Sequence, residues 1–239
     1  MRTIVIQGAV INEINLLITL FPNGKWSKDN GYSFYEASLN KTRIVISLTQ
    51  IGIINACIST MIAIEKYHPV CIINQGTAGG HKRDIKVGDI IIGESDVYIN
   101  NMRSPLKGKG EGSNSLEWWP GRSRSFDINA DTRLIELTKT IPYDGRIILG
   151  KLGSGDLFSR ETDRIDWMHS QLGELCEDME SIAVYKACIE CGVPVIGIRI
   201  ISNNEITGEN DNDALFDMVH NKLQNFIFEV IKLIENEFE

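Results

Sequence analysis

Two acids, an arginine and a glycine-rich turn are the residues of this sequence best suited to do chemistry together. Glu13 follows the strand-like opening RTIVIQG and the turn Gly8-Ala9, just inside the next helical segment. INQGTAGG, residues 73–80, comes directly after an apolar run. Its Gly76, Gly79 and Gly80 let the backbone approach a ligand, and Thr77 offers a hydroxyl and an amide. CEDMES carries Glu177, Asp178, Met179 and Glu180 at the mouth of a helix, where a carboxylate and a thioether can share one crevice. VIGIRIISNNE places Arg199 inside an apolar strand, with Ser202, Asn203 and Asn204 where that strand emerges. A buried arginine must be paired, and the carboxylates of the first and third stretches are its natural partners. A carboxylate within reach of water serves as a general base. A second fixed anion stabilises positive charge that develops in a transition state. Each stretch also has a plainer reading. Acids at helix starts favour the dipole, and the glycine turn matches neither a Walker loop nor G-x-G-x-x-G.

Strand ends must bring these residues together. Short β-branched runs recur at Ile4–Ile6, Thr42–Leu48, Val70–Ile73, Val87–Ile92, Arg146–Leu149 and Val193–Ile201. Amphipathic stretches separate several of them. Ile54, Cys57, Met61 and Ile64 recur at helical spacing between residues 53 and 68, and another helix follows Glu180. A terminal helix over 213–238 turns Leu215, Met218, Val219, Leu223, Phe226 and Val230 inward. The pattern predicts an α/β fold in three layers, α/β/α, around a central mixed twisted sheet, with a crevice at the carboxyl edge. No internal repeat or linker divides residues 1–239, so a single domain is expected.

The 239 residues include 24 Lys and Arg against 32 Asp and Glu, a net charge of −8 that argues against nucleic acid as the main partner. No apolar stretch reaches the roughly 18–20 residues of a membrane span, and no signal peptide opens the chain, so a cytoplasmic protein is expected. The five cysteines suit a reducing compartment. Cys188-x-x-Cys191 has no second pair and reads as packed thiols rather than a zinc site. Residues 100–126 stand apart as a long aperiodic loop or lid carrying Arg103, Lys107, Lys109, Arg122 and Arg124 beside Trp118-Trp119.

Taken in order, the motifs resemble the purine nucleoside phosphorylase/uridine phosphorylase superfamily, and most closely its hydrolytic branch, the 5′-methylthioadenosine/S-adenosylhomocysteine nucleosidases. Gly8-Ala9 with Glu13, Asn74 to Gly80, Val87-Gly88-Asp89-Ile90, Ser154-Gly155-Asp156-Leu157-Phe158, Asp178-Met179-Glu180-Ser181, and Val193-Pro194 with Arg199 to Asn203 carry the likeness. It implies a nucleosidase that cleaves an N-glycosidic bond of a purine nucleoside with water, as a homodimer and without cofactor or metal. Glu13 would activate water, with Thr77 and Arg199 holding it. Glu180 would accept the ribose hydroxyls, and Met179 would pack beneath the sugar. Phe158 would stack on the base and Asn203 would face its N7 edge. Ala78, Gly79, Ser159, Asp178 and Ser202 complete the expected substrate contacts.

Two departures from the family pattern matter. Phosphorylases of the superfamily hold phosphate with arginines, one of them three residues before the loop hydroxyl. Here that position is Asn74, and GAVINE contains no arginine, which favours hydrolysis over a phosphate-dependent phosphorylase. At 203 the adenosine-type nucleosidases carry an aspartic acid that protonates the leaving base. An asparagine cannot do so, but it can donate to a 6-oxo group and accept from a protonated N7, as in 6-oxopurine or futalosine-type enzymes. Asn204 or Glu205 would read the base edge if the strand ended one residue later. The basic loop would meet an anionic 5′ group, or else pair with its own surface acids.

Overall fold

The computed structural model describes residues 1–112, 114–120, 127–210 and 213–237. The chain opens with β1 (Arg2–Gly8), a 3-10 turn at Ile11–Glu13 and α1 (Asn15–Leu20). β2 (Lys25–Asp29), β3 (Tyr32–Leu39) and β4 (Thr42–Leu48) form an antiparallel meander. α2 (Ile53–Tyr67), β5 (Cys71–Gly80) and β6 (Ile90–Tyr98) follow. Next come a two-stranded ribbon of β7 (Met102–Arg103) with β8 (Trp119–Pro120), then β9 (Ile128–Asn129) and α3 (Thr132–Thr138). The last part holds β10 (Ile147–Ser154), α4 (Thr162–Leu172), β11 (Glu174–Asp178), α5 (Ser181–Glu190), β12 (Val195–Asn204), β13 (Glu209–Asn210) and α6 (Asp213–Glu237).

The expected mixed sheet flanked by helices is present, with an added closure. β5 pairs with β12, β12 with β6, β6 with β10, β10 with β11, and β11 returns to β5. Five strands therefore form a ring, from which β1, β4, β3 and β2 extend as an open wing. β5 and β12 are buried along nearly their whole length because both faces are covered, which explains their unbroken apolar runs. Closing so small a ring needs room inside. Gly93 and Gly197 face each other across β6 and β12, and a methyl group on either would come within 3 Å of the Tyr185 hydroxyl. That hydroxyl accepts from Gly197 N at 2.7 Å and donates to Gly93 O at 3.0 Å.

α2 packs on α5, while α6 packs on α1 and α3. α6 also fixes the segment that carries Glu13. Buried Gln224 accepts from the free amides of Leu16 (2.8 Å) and Leu17 (3.2 Å) at the start of α1 and donates to Asn12 O at 2.9 Å.

Some expectations change. In α2 the buried face is Ala56, Ser59, Thr60, Ala63 and Tyr67, whereas Ile54 is 71% exposed and Met61 43% exposed. The small residues face inward because α5 lies close there, so the larger apolar stripe is left outside. Met218 of α6 is also exposed, while Val219, Leu223, Phe226 and Val230 are buried as expected. The basic loop is partly tied down. Lys107 pairs with Glu117 at 2.6 Å, Arg103 lies over Trp119 at 5.6 Å and Arg164 over Trp118 at 5.7 Å. Arg122 and Arg124 fall outside the described residues.

Candidate active site

Glu13 ends the 3-10 turn after β1 and is 5% exposed. Its Oε2 accepts from Ala9 N (2.7 Å) and Val10 N (3.3 Å), and its Oε1 from Thr77 N (2.9 Å) and Thr77 Oγ1 (3.3 Å). Donors from the turn after β1 and from the end of β5 thus aim a carboxylate at one place. Gly76 is required there, because a Cβ would stand 2.6 Å from Glu13 Oε1. Gln75, also in β5, secures the Glu13 segment by donating to Glu13 O at 2.8 Å.

Arg199 is 1% exposed, and its donors are all committed. Nε reaches Asp178 Oδ2 at 2.9 Å, one terminal nitrogen reaches Asn74 O and Ile198 O at 3.1 Å each, and the other reaches the Asn74 side chain and Ser181 Oγ. The expected pairing with the third stretch is therefore present. The expected service to a water beside Glu13 is not, because the guanidinium is turned into the sheet and does not line the cavity. Its work is to fix Asp178. The same carboxylate accepts from the amides of Glu180 (2.8 Å) and Ser181 (2.9 Å), and so anchors the start of α5. Burial would raise the pKa of Asp178, but the Arg199 charge and the hydrogen bonds from Ser181 and Glu180 outweigh it and hold it below its usual value.

Behind Asp178 lies Asp96, fully buried. Ser154 Oγ stands 2.8 Å from Asp96 Oδ2 and 2.9 Å from Asp178 Oδ1, and accepts from Ile182 N at 3.0 Å. A hydroxyl has one hydrogen, so two carboxylates bonded to it need a second proton between them. Asp178 faces Arg199, so that proton belongs on Asp96. Burial, and then the charge of Asp178, push the Asp96 carboxyl well above the usual range.

Glu180 precedes α5. Its Oε1 accepts from Gly52 N at 3.0 Å and its Oε2 from Met179 N at 3.3 Å. Burial, followed by the charge of Asp178, pushes it up to about 7.

A cavity of about 190 Å³ joins these parts, lined by Glu13, Ile51, Thr77, Ala78, Gly79, Phe158, Glu177, Asp178, Met179, Glu180, Ser202 and Asn203, with Ala9 and Val10 at the first turn. Ten of the twelve residues expected at the site are therefore together; Arg199 and Ser159 are the exceptions. Ser159 is buried, and both its amide (2.7 Å) and its hydroxyl (2.6 Å) donate to Glu177. Asn203 donates to Glu205 Oε1 at 3.2 Å, and its Oδ1 accepts from Ser202 Oγ at 3.2 Å. Asn204 is no base reader: its Nδ2 donates to Lys82 O (2.7 Å) and Ile85 O (3.0 Å) in the connection after β5, and its Oδ1 accepts from Ile206 N (3.1 Å) and Thr207 N (3.3 Å), closing the turn after β12. Glu177 was missed as a lining residue because it reads as one more helix-start acid. It stands near the end of β11, directly before Asp178 and Met179, which line the same cavity.

The chain belongs to the phosphorylase superfamily, whose sequence model matches residues 3–234. Within it, the chain groups with the 5′-methylthioadenosine/S-adenosylhomocysteine nucleosidases. It is 29% identical to that of Anoxybacillus flavithermus over 238 residues, 98% of each chain. It is 30% identical to that of Oceanobacillus iheyensis over 218 residues, 90% of each. The crystal structure of the Neisseria meningitidis nucleosidase with methylthio-immucillin-A superposes with a TM-score of 0.79 at 25% identity, covering 97% of this chain and 99% of that one.

Proposed function

We propose that this protein hydrolyses the N-glycosidic bond of a 5′-modified purine nucleoside, with Glu13 as the base that activates water. The observation that carries the reading is the composition of the cavity. Glu13 is held by four donors and shares the space with Glu180, and none of the lining residues is a lysine or arginine. Arg199 is already committed to Asp178, so a phosphate nucleophile would meet Glu13, Glu177 and Glu180 with no lysine or arginine among the described lining residues to offset them, whereas water meets a ready base.

In the reaction, Glu13 takes a proton from water as its oxygen bonds to the anomeric carbon. The carbon–nitrogen bond breaks, its electron pair leaves with the base, and the base takes up a proton from solvent. Positive charge spreads over the sugar at the transition state, where ionised Glu180 stabilises it and accepts the ribose hydroxyls. Met179 supports the sugar, Thr77, Ala78 and Gly79 form the floor, Phe158 covers the base, and Ser202 with Asn203 face its edge. Arg199 acts through Asp178. The test is release of free purine from a 5′-thio-substituted nucleoside in phosphate-free buffer; a requirement for inorganic phosphate would instead establish a phosphorylase.

The apolar face left open on α2 supports a homodimer. Ile51 (52% exposed) lies at the cavity mouth, and Ile54, Ile58 and Met61 continue from it toward Ile189 at the end of α5. A second copy on this face would shield the stripe and close the open side of the cavity next to Phe158. Charged substitution at Ile54 and Ile58 should give a monomer by sedimentation with weakened substrate binding; an unchanged dimer would place the interface elsewhere. No helix among the described residues is long and apolar enough to cross a membrane. The five free cysteines support a cytoplasmic setting.

A further inference from the structure

The base end of the cavity holds a group of residues that hydrolysis itself does not use. Glu177 pairs in register with Gly79 on one side of β5, and Asn203 pairs with the same glycine on the other. Adjacent strands lie roughly 4.8 Å apart, so the two side chains arise about 10 Å from each other across a residue without a side chain, and the Asn203 amide leans over that glycine, 3.4 Å from where a Cβ would stand. A flat base fits the cavity between the Asn203 amide and Glu177, with Gly79 beneath. Behind Glu177 stands buried His81, whose Nδ1 is 3.0 Å from Glu174 Oε1 and whose Nε2 is 3.9 Å from Glu177 Oε2. His81, Glu174 and Glu177 are 3%, 0% and 7% exposed, too enclosed for ordinary surface pairing.

Ser159 settles the polarity of this wall. Its amide ends on Glu177 Oε1, and its hydroxyl ends on Oε2. The wall therefore offers the cavity carboxylate oxygens and no free donor from Ser159. Each carboxylate oxygen accepts more than one hydrogen bond, so Glu177 keeps acceptor capacity toward a ligand. Across the gap, Asn203 Nδ2 spends one hydrogen on Glu205 and retains the other.

We propose that Glu177 reads the pyrimidine edge of the purine and selects a 6-oxopurine, guanine above hypoxanthine, over adenine. Guanine presents N1–H and a 2-amino N–H side by side, two donors for two carboxylate oxygens. Hypoxanthine presents only N1–H. Adenine presents its amine beside a bare N1 lone pair, which would face the second oxygen of Glu177. The remaining Asn203 hydrogen meets a 6-oxo acceptor but clashes with a 6-amino donor. The two ends of the row thus favour the same base. Ser159 and His81, backed by Glu174, are positioning residues that hold Glu177 in place. This inference rests on the nucleosidase reading and adds the base it acts on.

The experiment measures kcat/KM of the wild type in phosphate-free buffer on the 5′-methylthio derivatives of guanosine, inosine and adenosine, and repeats it with Glu177→Gln. The amide supplies a donor to adenine N1, so the 6-oxo to 6-amino preference should fall by about ten- to hundredfold. A wild type that prefers the adenosine derivative, or a folded E177Q variant with an unchanged ratio, overturns the proposal. Binding of free guanine and 1-methylguanine to the wild type provides a second arm that needs no variant. Loss of affinity on N1 methylation supports the reading of N1–H, and equal affinity overturns it. If no nucleoside is hydrolysed, the nucleosidase reading fails, while the binding arm still decides the base preference.

Discussion

The two ends of the cavity are built on different plans. At the sugar end, Glu13 is held by backbone amides of the first turn and of β5 and by the Thr77 hydroxyl, and Glu180 by the amides of Gly52 and Met179. All of these donors but the Thr77 hydroxyl belong to the main chain, so they follow from the fold and tolerate change elsewhere. At the base end one backbone donor, the Ser159 amide, holds Glu177, and the remaining contacts are between side chains: Glu177 with Ser159 Oγ and His81, and Asn203 with Ser202 and Glu205. A few substitutions can rewrite that end without touching the backbone. The comparison teaches that the chemistry of bond cleavage is carried by the scaffold and the choice of base by exchangeable side chains.

Breaking the sugar end should have the largest effect. Glu13→Gln keeps the shape and removes the base, so kcat should fall by about 10²–10⁴-fold with KM little changed, read by release of free purine. Comparable losses in KM alone would mean that Glu13 only binds. Next in size is the support beneath it. Arg199→Met leaves Asp178 as an unpaired buried anion and should cost about 3–5 kcal/mol of stability in denaturant unfolding, with kcat falling as α5 loosens. Asp178→Asn combined with Arg199→Met should recover part of that loss.

The ionisation of Glu180 gives a smaller and sharper test. With its carboxyl pushed up to about 7, the ionised form needed for catalysis accumulates as pH rises through that value. Wild-type kcat/KM should therefore rise with pH near 7, and Glu180→Gln should abolish that limb along with most activity. Stability runs the other way. The folded state holds this proton more tightly than the unfolded chain, so its contribution is full at low pH and is lost between the ordinary glutamate value of about 4.5 and about 7. At pH 8 the Gln variant should be the more stable by about 1–3 kcal/mol, with the gap closing toward pH 4.5.

The smallest effect is expected at Asp96. A carboxyl already protonated resembles an amide, so Asp96→Asn should change stability at neutral pH by less than about 1 kcal/mol, unlike its neighbour Asp178. Asp96 also favours the folded state at low pH and loses that contribution on alkalinisation, so the variant should flatten the alkaline decline. A loss of several kcal/mol at neutral pH would contradict the proton count at Ser154.

Much of this architecture was legible in the sequence because it rests on local signals. The apolar runs of β5 and β12 announce strands covered on both faces, and a lone Arg199 within one of them announces a buried partner. The partner's identity was half legible: Asp178 pairs with Arg199, while Glu13 is held by amides instead. Ring closure through β11 and β5 was not legible, since pairing between distant strands leaves no local periodicity. The outward face of α2 was hidden for a related reason. Helical spacing marks an apolar stripe but not which side meets a neighbour, and here alanine, serine and threonine make the close contact with the body of the protein. Asn203 was legible as a departure from the family pattern. Glu177 gave no such sign, because a carboxylate before a helix has an ordinary electrostatic reason to be there.

The most direct measurement is the identity of the sugar released from a 5′-methylthio purine nucleoside, by chromatography with and without inorganic phosphate. Free 5-methylthioribose at the same rate in both buffers is the predicted result. A phosphorylated sugar formed only when phosphate is present would contradict the assignment of water to Glu13.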